Sequence, residues 1–493
     1  MSGRAMQEWI ESQAGKTYAN FIGGEWKGSR GGGTYPLFEA ARPSRKLGEF
    51  PDSDIADVDE AVKAAHEAFL RWRTAPASAR AAALYRFAEL IERDRTELSY
   101  IVSAEQGKTL AESLGETRRA ANEARFAAGE AYRIDGQTLP GETESTRVEV
   151  RRSPIGVVAA IAPWNFPVVT PVRKIAPALA YGCTVVYKPA SATPWSAVKL
   201  MELLAEAGVP PGVVNLVNGT GGKVGDPLAA HPLVKGISFT GSTALGLRIN
   251  AAAAARLAKT QLELGGKNAA LVLDYGDLDD AAAQIVGAAF ACSGQRCTSI
   301  SRVIVLKRQA SALIARLADR IAGIRLGPPG RDDASMGPLI DRRQYLSVLE
   351  YIESGKAEGA RLVCGGTGAE TEEGCYVAPT LFANVTKEMR IAREEVFGPV
   401  LCVMEADGEE EAAELANGTM YGLAASVFTD RLDSAERMKE ALDAGMIHIN
   451  HGTASQIHVP FGGVKSSGFG AYSIGHSNQE FYTNAKAVYV KTR

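Results

Sequence analysis

Cys297 is the residue whose surroundings most clearly indicate chemistry. It lies in CSGQRCTS (292–299), where glycine and polar residues predict a turn and not an apolar core stripe. A lone cysteine is usually a small buried hydrophobic residue, but these flanks favour a nucleophile. The neighbouring Arg296 could help to hold a thiolate.

Two further polar residues have positions that suit catalysis. Glu263, in QLELGGKN (261–268), precedes a Gly-Gly turn at a predicted strand end, which predicts a carboxylate at a cleft mouth. Asn165, in PWNFP (163–167), lies between prolines that fix the backbone locally, and its amide could donate to an oxyanion. Taken singly, each has a plain alternative: a surface-turn glutamate and an asparagine in an Asx turn.

The elements that must position these residues follow from the apolar periodicity. Spacing of apolar residues predicts two or three amphipathic helices over roughly 55–130. Thr193 as N-cap and Pro194 at the first helical position predict a helix that ends at Gly208, and another helix is predicted from about Thr243. Buried strands are predicted at 156–163, 183–189, 213–219 and 234–241.

This alternation of strands and helices predicts an α/β fold with a Rossmann-like, doubly wound parallel sheet. Ligands of such a sheet bind beyond the carboxyl ends of its strands. Residues 269–460 repeat the alternation less regularly, which predicts a second α/β domain. Short strands and turns are predicted over 18–40.

Two segments have the pattern of exposed β structure. Residues 133–154 are polar with β character, which predicts a hairpin, and EFYTNAKAVYVKT (480–492) alternates like an edge strand. Because an exposed edge needs a partner, we expect these two segments to pair between subunits.

Composition excludes several classes of function. A chain of 493 residues implies two or three domains, and a net charge of -3 favours neither nucleic acid nor an anionic membrane. No apolar run is long enough to cross a bilayer, and MSGRAMQEWIES lacks the apolar region of a secretory signal. The six cysteines form no CxxC pair, so we expect no metal site and a reducing cytoplasm.

Taken together, the motifs resemble those of the aldehyde dehydrogenase superfamily, in the family's order and over nearly the whole chain. Glu263 precedes Cys297 by 34 residues, as the family pattern requires. The residues of GQRCTS and of the C-terminal motif are similar to those of 2-oxoglutarate semialdehyde dehydrogenases. The motifs are PWNFP (163–167), KPAS (188–191), FTGST (239–243), LELGGK (262–267), GQRCTS (294–299), EEVFGPV (394–400) and PFGGVKSSGFG (460–470).

The resemblance implies roles and a domain division. Cys297 would form a thiohemiacetal and then a thioester, with Asn165 and the Cys297 N–H as oxyanion donors. Glu263 would be the general base, and Lys174 would tune it. The NAD(P)-binding domain would comprise 1–132 and 152–262, the catalytic domain 263–470, and a small β oligomerisation arm 133–151 and 471–493.

The resemblance also implies an NAD or NADP site and a homodimer or homotetramer. Ser191 replaces a glutamate that many members use to favour NAD, so NADP is favoured. GAY (470–472) replaces a GRE segment, which puts a proton relay through its glutamate in doubt. The implied cofactor residues are Trp164, Lys188, Ser191, Gly221, Gly225, Phe239, Gly241, Ser242, Leu264, Glu395 and Phe397.

The substrate is predicted from a smaller set of residues, namely Arg173, Arg296 and Phe461. Arg173 matches the position at which succinate semialdehyde dehydrogenases carry an arginine for the substrate carboxylate, so a carboxylated semialdehyde is expected. The alternatives are a neutral or aromatic aldehyde, a coenzyme A-acylating reaction, and a non-catalytic relative. The presence of Glu263 disfavours the acylating class, and the presence of Cys297, Glu263 and Asn165 disfavours the non-catalytic one.

Overall fold

The computed structural model describes residues 3–491, and its elements are numbered in chain order. The helices are α1 (Gly3–Gln13), α2 (Ile55–Trp72), α3 (Ala77–Arg93), α4 (Arg95–Gln106), α5 (Leu110–Glu130), α6 (Val169–Ala180), α7 (Trp195–Glu206), α8 (Asp226–Ala230), α9 (Thr243–Ala254), α10 (Leu278–Phe290), α11 (Lys307–Ala322), α12 (Arg342–Ala357), α13 (Arg390–Arg393), α14 (Glu409–Asn417), α15 (Leu432–Ala441) and α16 (Asn478–Tyr482).

The strands are β1 (Lys16–Thr17), β2 (Asn20–Ile22), β3 (Glu25–Lys27), β4 (Thr34–Glu39), β5 (Arg42–Pro51), β6 (Gln137–Pro140), β7 (Thr146–Pro154), β8 (Val157–Ile161), β9 (Thr184–Lys188), β10 (Val214–Leu216), β11 (Val234–Thr240), β12 (Lys259–Glu263), β13 (Asn268–Val272), β14 (Ile300–Leu306), β15 (Arg361–Cys364), β16 (Gly368–Thr371), β17 (Gly374–Val377), β18 (Thr380–Ala383), β19 (Val400–Ala406), β20 (Tyr421–Gly422), β21 (Ala424–Phe428), β22 (Met446–Ile449), β23 (Val464–Lys465), β24 (Gly468–Phe469) and β25 (Thr483–Lys491).

The first large sheet confirms the predicted doubly wound arrangement. Its order is β24-β12-β11-β8-β9-β10-β2-β3, and β12, β11, β8, β9 and β10 are parallel. Along β8, Val157, Ala159 and Ile161 pack into one apolar cluster, while Val158 and Ala160 pack into another on the opposite face. The sheet is therefore buried on both faces, which explains the continuous apolar run of β8.

The second large sheet confirms the predicted second α/β unit. Its order is β15-β18-β19-β14-β13-β21-β22, and every pair except β15 with β18 is parallel. It too separates two apolar clusters. The sheets do not test the predicted domain boundaries at 132, 151, 262 and 470, which stay predictions.

The third sheet, β25-β7-β6, corrects the expected pairing between subunits. β25 pairs with β7 of the same chain in an antiparallel register from Thr483 opposite Pro154 to Lys491 opposite Thr146. The preceding Tyr482 is fully buried, and its carbonyl accepts a hydrogen bond from the Ile155 N–H at 3.0 Å. The buried Tyr482 therefore holds the start of β25 beside β7 within a single chain.

The start of α7 is a second correction. Pro194 is the capping position, and Thr193 supplies no side-chain cap; its buried hydroxyl has no hydrogen-bond partner within residues 3–491. Instead the buried Glu105 carboxylate accepts from the N–H groups of Trp195 (2.9 Å) and Ser196 (3.2 Å). A carboxylate from α4 therefore satisfies the positive end of α7.

Four helices, α2 to α5, occupy the region where two or three were predicted. The extra breaks fall at Asp94 and at Gly107, which ends α4 in the left-handed conformation with φ of 93°. Within residues 3–491, none of the helices combines the length and the apolar character that crossing a bilayer requires.

Candidate active site

Glu263 lies at the carboxyl end of the first sheet. It is the last residue of β12 and pairs with Thr240 at the end of β11. Its buried Oε1 accepts a hydrogen bond from Ser473 Oγ at 3.0 Å, and Oε2 has no partner among the described residues. Burial raises the pKa of Glu263 above its ordinary value, against the opposing effect of the Lys174 ammonium. A fixed carboxyl group with one open oxygen can accept a proton near neutral pH.

Cys297 lies just before β14 and is half-buried. Its backbone carbonyl and that of Ser299 both accept hydrogen bonds from Asn268 Nδ2, at 2.7 and 2.8 Å. Burial, with the carboxylates of Glu395 and Glu263, raises the pKa of the Cys297 thiol to about 12. The thiol is therefore protonated at neutral pH and needs a base to become a nucleophile.

A tight turn before the cysteine holds it in place. Cys292 and Ser293 have φ of 53° and 58°, and Gly294 has φ of 70°. A Cβ at Gly294 would approach Gly398 O to 2.2 Å, so a glycine is required there. Glu112 Oε1 accepts from the Cys292 N–H at 2.6 Å and fixes the start of the turn. The predicted turn around Cys297 is thus present and backbone-strained, as expected where surrounding contacts determine the geometry.

Asn165 is joined to the cysteine loop. Its buried Nδ2 donates to the Gln295 carbonyl at 2.9 Å, which uses one of the two amide hydrogens and leaves the other for a ligand. Its own carbonyl accepts from Lys108 Nζ at 2.7 Å. Asn165 follows β8, so the oxyanion candidate and Glu263 come from strands of the same sheet.

A buried ion pair supports the Asn165 segment. Lys108 Nζ lies 2.7 Å from Glu116 Oε2, and neither side chain is exposed. Glu116 Oε1 accepts from the N–H groups of Val168 and Val169 at 2.8 and 3.1 Å, which caps α6. This pair could not be predicted from the sequence, because its two charged residues have the pattern of a solvated helix face.

Lys174 lies on α6, close enough to Glu263 for the two charges to interact. Its buried Nζ donates to Ser238 Oγ at 3.0 Å, and Ser238 Oγ donates to Gln261 Oε1 at 2.8 Å. Burial lowers the pKa of Lys174, while the charge of Glu263 opposes that shift. The two groups therefore form an electrostatically linked pair without a direct hydrogen bond.

Arg173 is less open than the sequence suggested. Its Nε and Nη2 donate to Glu123 at 3.1 and 2.9 Å, so the fork expected to hold a substrate carboxylate is already engaged. Arg119 Nε also donates to Glu123, at 2.7 Å, which leaves one net positive charge in this group. The Arg173 guanidinium lies 5.0 Å from the ring centroid of Phe461. Two predicted substrate residues are thus in contact.

Arg296 makes a different contact. It is half-buried, and its Nη2 donates to Thr298 Oγ1 at 3.3 Å. Its charge lowers the pKa of Cys297, against the larger effect of burial. The predicted support of a thiolate by Arg296 is therefore electrostatic.

The predicted cofactor residues follow the strand ends of the first sheet. Lys188 ends β9 and is buried, and burial lowers its pKa to about 8; Ser191 beyond it is exposed. Gly221–Gly225 form a single π-type turn, and a Cβ at Gly225 would lie 3.7 Å from the Lys188 side chain. Within residues 3–491, the Lys188 ammonium is therefore not paired with a carboxylate.

The segment after β11 forms a cradle at the start of α9. A Cβ at Gly241 would approach Phe239 Cζ to 2.5 Å, so a larger residue there would have to displace that ring. Ser242 Oγ accepts from the Leu245 N–H at 3.4 Å and caps α9. A capped helix start beside a bare glycine backbone can receive a phosphate. Leu264 is buried beneath α9, where a Cβ at Gly246 would approach it to 2.4 Å.

Glu395 and Phe397 lie in the segment that precedes β19 of the second large sheet. Glu395 Oε1 accepts from the Gly266 N–H at 3.1 Å, and burial raises the Glu395 pKa to about 7. Phe397 has φ of 55° and meets Trp164 edge-on at a centroid distance of 5.3 Å. This set of groups fits a dinucleotide. It comprises a helix start, a buried cation, a carboxyl group that can accept from ribose hydroxyls, and aromatic rings.

Comparison with known proteins agrees with this geometry. The sequence pattern of the family described as "Aldehyde dehydrogenase family" matches residues 26–488.

The chain belongs to the aldehyde dehydrogenase family.

It is an NAD(P)-dependent aldehyde dehydrogenase. It is 41% identical over 479 residues to alpha-ketoglutaric semialdehyde dehydrogenase of Bacillus subtilis, covering 96% of this chain and 98% of that one. It is 42% identical over 476 residues to aldehyde dehydrogenase 1A1 of Macaca fascicularis, covering 96% and 94%.

Solved structures support the same assignment. An NADP-dependent enzyme of E. coli matches this dehydrogenase with a TM-score of 0.94 at 36% identity, over 96% of this chain and 98% of that one. An NAD-dependent aldehyde dehydrogenase of Sinorhizobium meliloti matches with a TM-score of 0.95 at 35% identity, over 98% and 96%.

Lys108→Met should lower the stability of this dehydrogenase strongly, because it leaves the Glu116 carboxylate buried without its cation. Removing one partner of a buried ion pair costs about 3–5 kcal/mol. Denaturant unfolding of the variant measures the loss. Lys439→Met, which removes an exposed pair with Glu436, is the matched control and should change little. Equal midpoints for the two variants would contradict the structural role of Lys108.

Proposed function

We propose that this dehydrogenase converts an aldehyde into a carboxylic acid through a thiohemiacetal and a thioester on Cys297. The observation that carries the proposal is the open Oε2 of the buried Glu263, beside a cysteine whose thiol requires a base. Such a carboxylate can activate the water that hydrolyses the thioester, which supports release of the free acid over transfer to coenzyme A.

Each residue then has a defined task. Cys297 Sγ attacks the aldehyde carbon as the thiolate, and Glu263 accepts a proton from the water that later hydrolyses the thioester. The free amide hydrogen of Asn165 and the Cys297 N–H stabilise the developing oxyanion. Lys174 adjusts the charge balance around Glu263. When bound, the nicotinamide dinucleotide supplies the hydride acceptor for the oxidation of the thiohemiacetal.

Glu263→Gln should stall the cycle after oxidation. A burst of reduced nicotinamide should survive, while the steady rate falls by about 100-fold or more, because general-base catalysis of deacylation is lost. Stopped-flow absorbance measures both phases. Cys297→Ala is the control, with no burst and nearly intact cofactor binding. A Glu263→Gln enzyme that keeps its steady rate would remove Glu263 from the mechanism, and loss of the burst would show that it also activates the thiol.

We infer further that NADP is preferred over NAD. The residues toward the adenosine ribose would be Lys188 and Ser191, and no carboxylate at position 191 repels a 2'-phosphate. Among residues 3–491, the hydrogen-bond acceptor of the buried Lys188 ammonium is the Pro189 carbonyl, at 2.8 Å, so its charge is available to an anion. Both observations support a phosphate at this position.

Ser191→Glu should shift the preference from NADP toward NAD. The added charge near a 2'-phosphate has an effect on the order of a few kcal/mol at partly buried range. Titration of both cofactors against the wild type, Ser191→Glu and the uncharged control Ser191→Gln measures the shift. Equal changes in the two affinities would contradict a role for position 191 in reading the 2'-phosphate.

The proposed substrate is a semialdehyde with a distal carboxylate, such as 2-oxoglutarate or succinate semialdehyde. The relative from B. subtilis is named for such a substrate. Arg119, Glu123 and Arg173 together retain one net positive charge, and Arg173 is near enough to Cys297 and Glu263 to be influenced by their charges. Because Nε and Nη2 of Arg173 are engaged by Glu123, a substrate carboxylate would use its remaining guanidinium edge.

Arg173→Leu should lower kcat/KM for the carboxylated semialdehyde by about tenfold or more and hardly change it for hexanal, because a charge-assisted hydrogen bond is lost. Glu123→Gln is the complementary variant: it frees the guanidinium and should keep or increase the preference for the carboxylate. Steady-state kinetics with both aldehydes measure the ratio. Equal losses on both substrates would mean that Arg173 is structural, and a wild-type preference for neutral or aromatic aldehydes would contradict the substrate proposal.

We also propose a homodimer or homotetramer in a reducing compartment such as the cytoplasm. Exposed apolar residues on the β25-β7-β6 sheet support an assembly; they include Leu139, Tyr489 and Val490. All six cysteines are free, which supports a reducing environment.

A further inference from the structure

Ser473 is held rigidly beside Glu263. Its side chain is buried, its N–H donates to the Phe461 carbonyl at 2.9 Å, and its own carbonyl accepts from the Phe461 N–H at 2.7 Å. These two backbone bonds fix the position of Oγ. From there Oγ lies 3.0 Å from Glu263 Oε1 and 3.2 Å from the Phe461 carbonyl oxygen.

The Ser473 hydroxyl thus has two acceptors but only one hydrogen, so it can donate to only one of them at a time. When Glu263 is ionised, donation to its carboxylate is favoured because that bond is charge-assisted. When Glu263 carries the proton on its open Oε2, Oε1 is a carbonyl oxygen and can still accept the hydrogen bond from Ser473 Oγ. In neither state does Glu263 Oε1 lose its partner.

We propose that Ser473 is a positioning residue that holds Oε1 of Glu263 in both protonation states of the carboxyl group, so that the proton is taken up and released at Oε2. The inference rests on the proposed role of Glu263 as the base. Because the hydrogen bond is made to Oε1, a proton can be accepted and returned at Oε2 without breaking it. No heavy atom then has to move during the cycle.

The other charged and titratable groups that face Glu263 act on it without a hydrogen bond. They are Lys174 and Arg173 of α6, the Cys297 thiol and Tyr472. Among residues 3–491, Ser473 is the side chain that hydrogen-bonds Glu263. Its donation favours the ionised carboxylate and lowers the Glu263 pKa, against the effect of burial. Removal of the hydroxyl should therefore raise that pKa.

The test is the acid limb of the kcat–pH profile, measured with the complete enzyme, its cofactor and a good aldehyde substrate. In Ser473→Ala the limb should move upward by about one pH unit, the size expected for loss of one hydrogen bond to a charged group. Ser473→Thr keeps the hydroxyl and should retain the wild-type limb. Ser473→Cys, of similar shape but a weaker donor, should move the limb in the same direction as alanine and provides a second variant if alanine impairs folding.

Ser477→Ala is the matched control. Its hydroxyl lies in the same loop but donates to the backbone carbonyls of Tyr472 and Ile474, at 3.1 and 2.7 Å. Its limb should not move. Infrared titration of the unliganded proteins provides a second readout, in which the difference between wild type and Glu263→Gln isolates the Glu263 carboxyl band. That band should titrate at higher pH in Ser473→Ala.

The outcomes separate this inference from the assignment of the base. A limb that persists in Glu263→Gln overturns the role of Glu263, and this inference with it. A limb that disappears in Glu263→Gln but keeps its midpoint in both Ser473→Ala and Ser473→Cys overturns the role of Ser473 alone. A shift in Ser473→Thr as large as in Ser473→Ala also overturns it, because the hydroxyl would not be the cause.

Discussion

Burial keeps the pKa of a carboxyl group high only where few donors stabilise its charged form. This constraint on Glu263 determines much of what surrounds it. The parallel sheet brings the ends of β8, β11 and β12 together away from bulk water. Lys174 offsets part of the desolvation cost from a distance, and one serine hydroxyl fixes the orientation. Additional donors would stabilise the carboxylate and make it a weaker base.

The first sheet and its strand ends could be predicted from the sequence, because β8 is an uninterrupted apolar run and β9 and β11 are short segments rich in apolar and β-branched residues. A strand buried on both faces has that pattern and few others do. The turns around Cys297 and Asn165 were equally legible, because glycine and proline limit the backbone locally. These are properties of short segments, which a single sequence records.

Contacts between distant segments could not be predicted. Glu105, Lys108 and Glu123 are charged residues in or beside amphipathic helices, and such residues are normally solvated. Here each is buried because another element meets it: Glu105 caps α7, Lys108 binds the Asn165 carbonyl, and Glu123 engages Arg173. The same reason explains the misplaced cap at Thr193 and the intrachain pairing of β25, since both depend on a buried partner far away in sequence.

The stretch from Glu105 to Lys108 has a meaning for protein engineering. Within four residues it contacts both the start of the helix that follows KPAS and the loop that carries Asn165. These residues are not among those proposed to bind the cofactor or the substrate. A displacement of this stretch would move the start of α7, which follows the 188–191 loop, together with the loop that carries Asn165. Under the proposed roles of these two loops, a substitution in this stretch would change cofactor preference and turnover together.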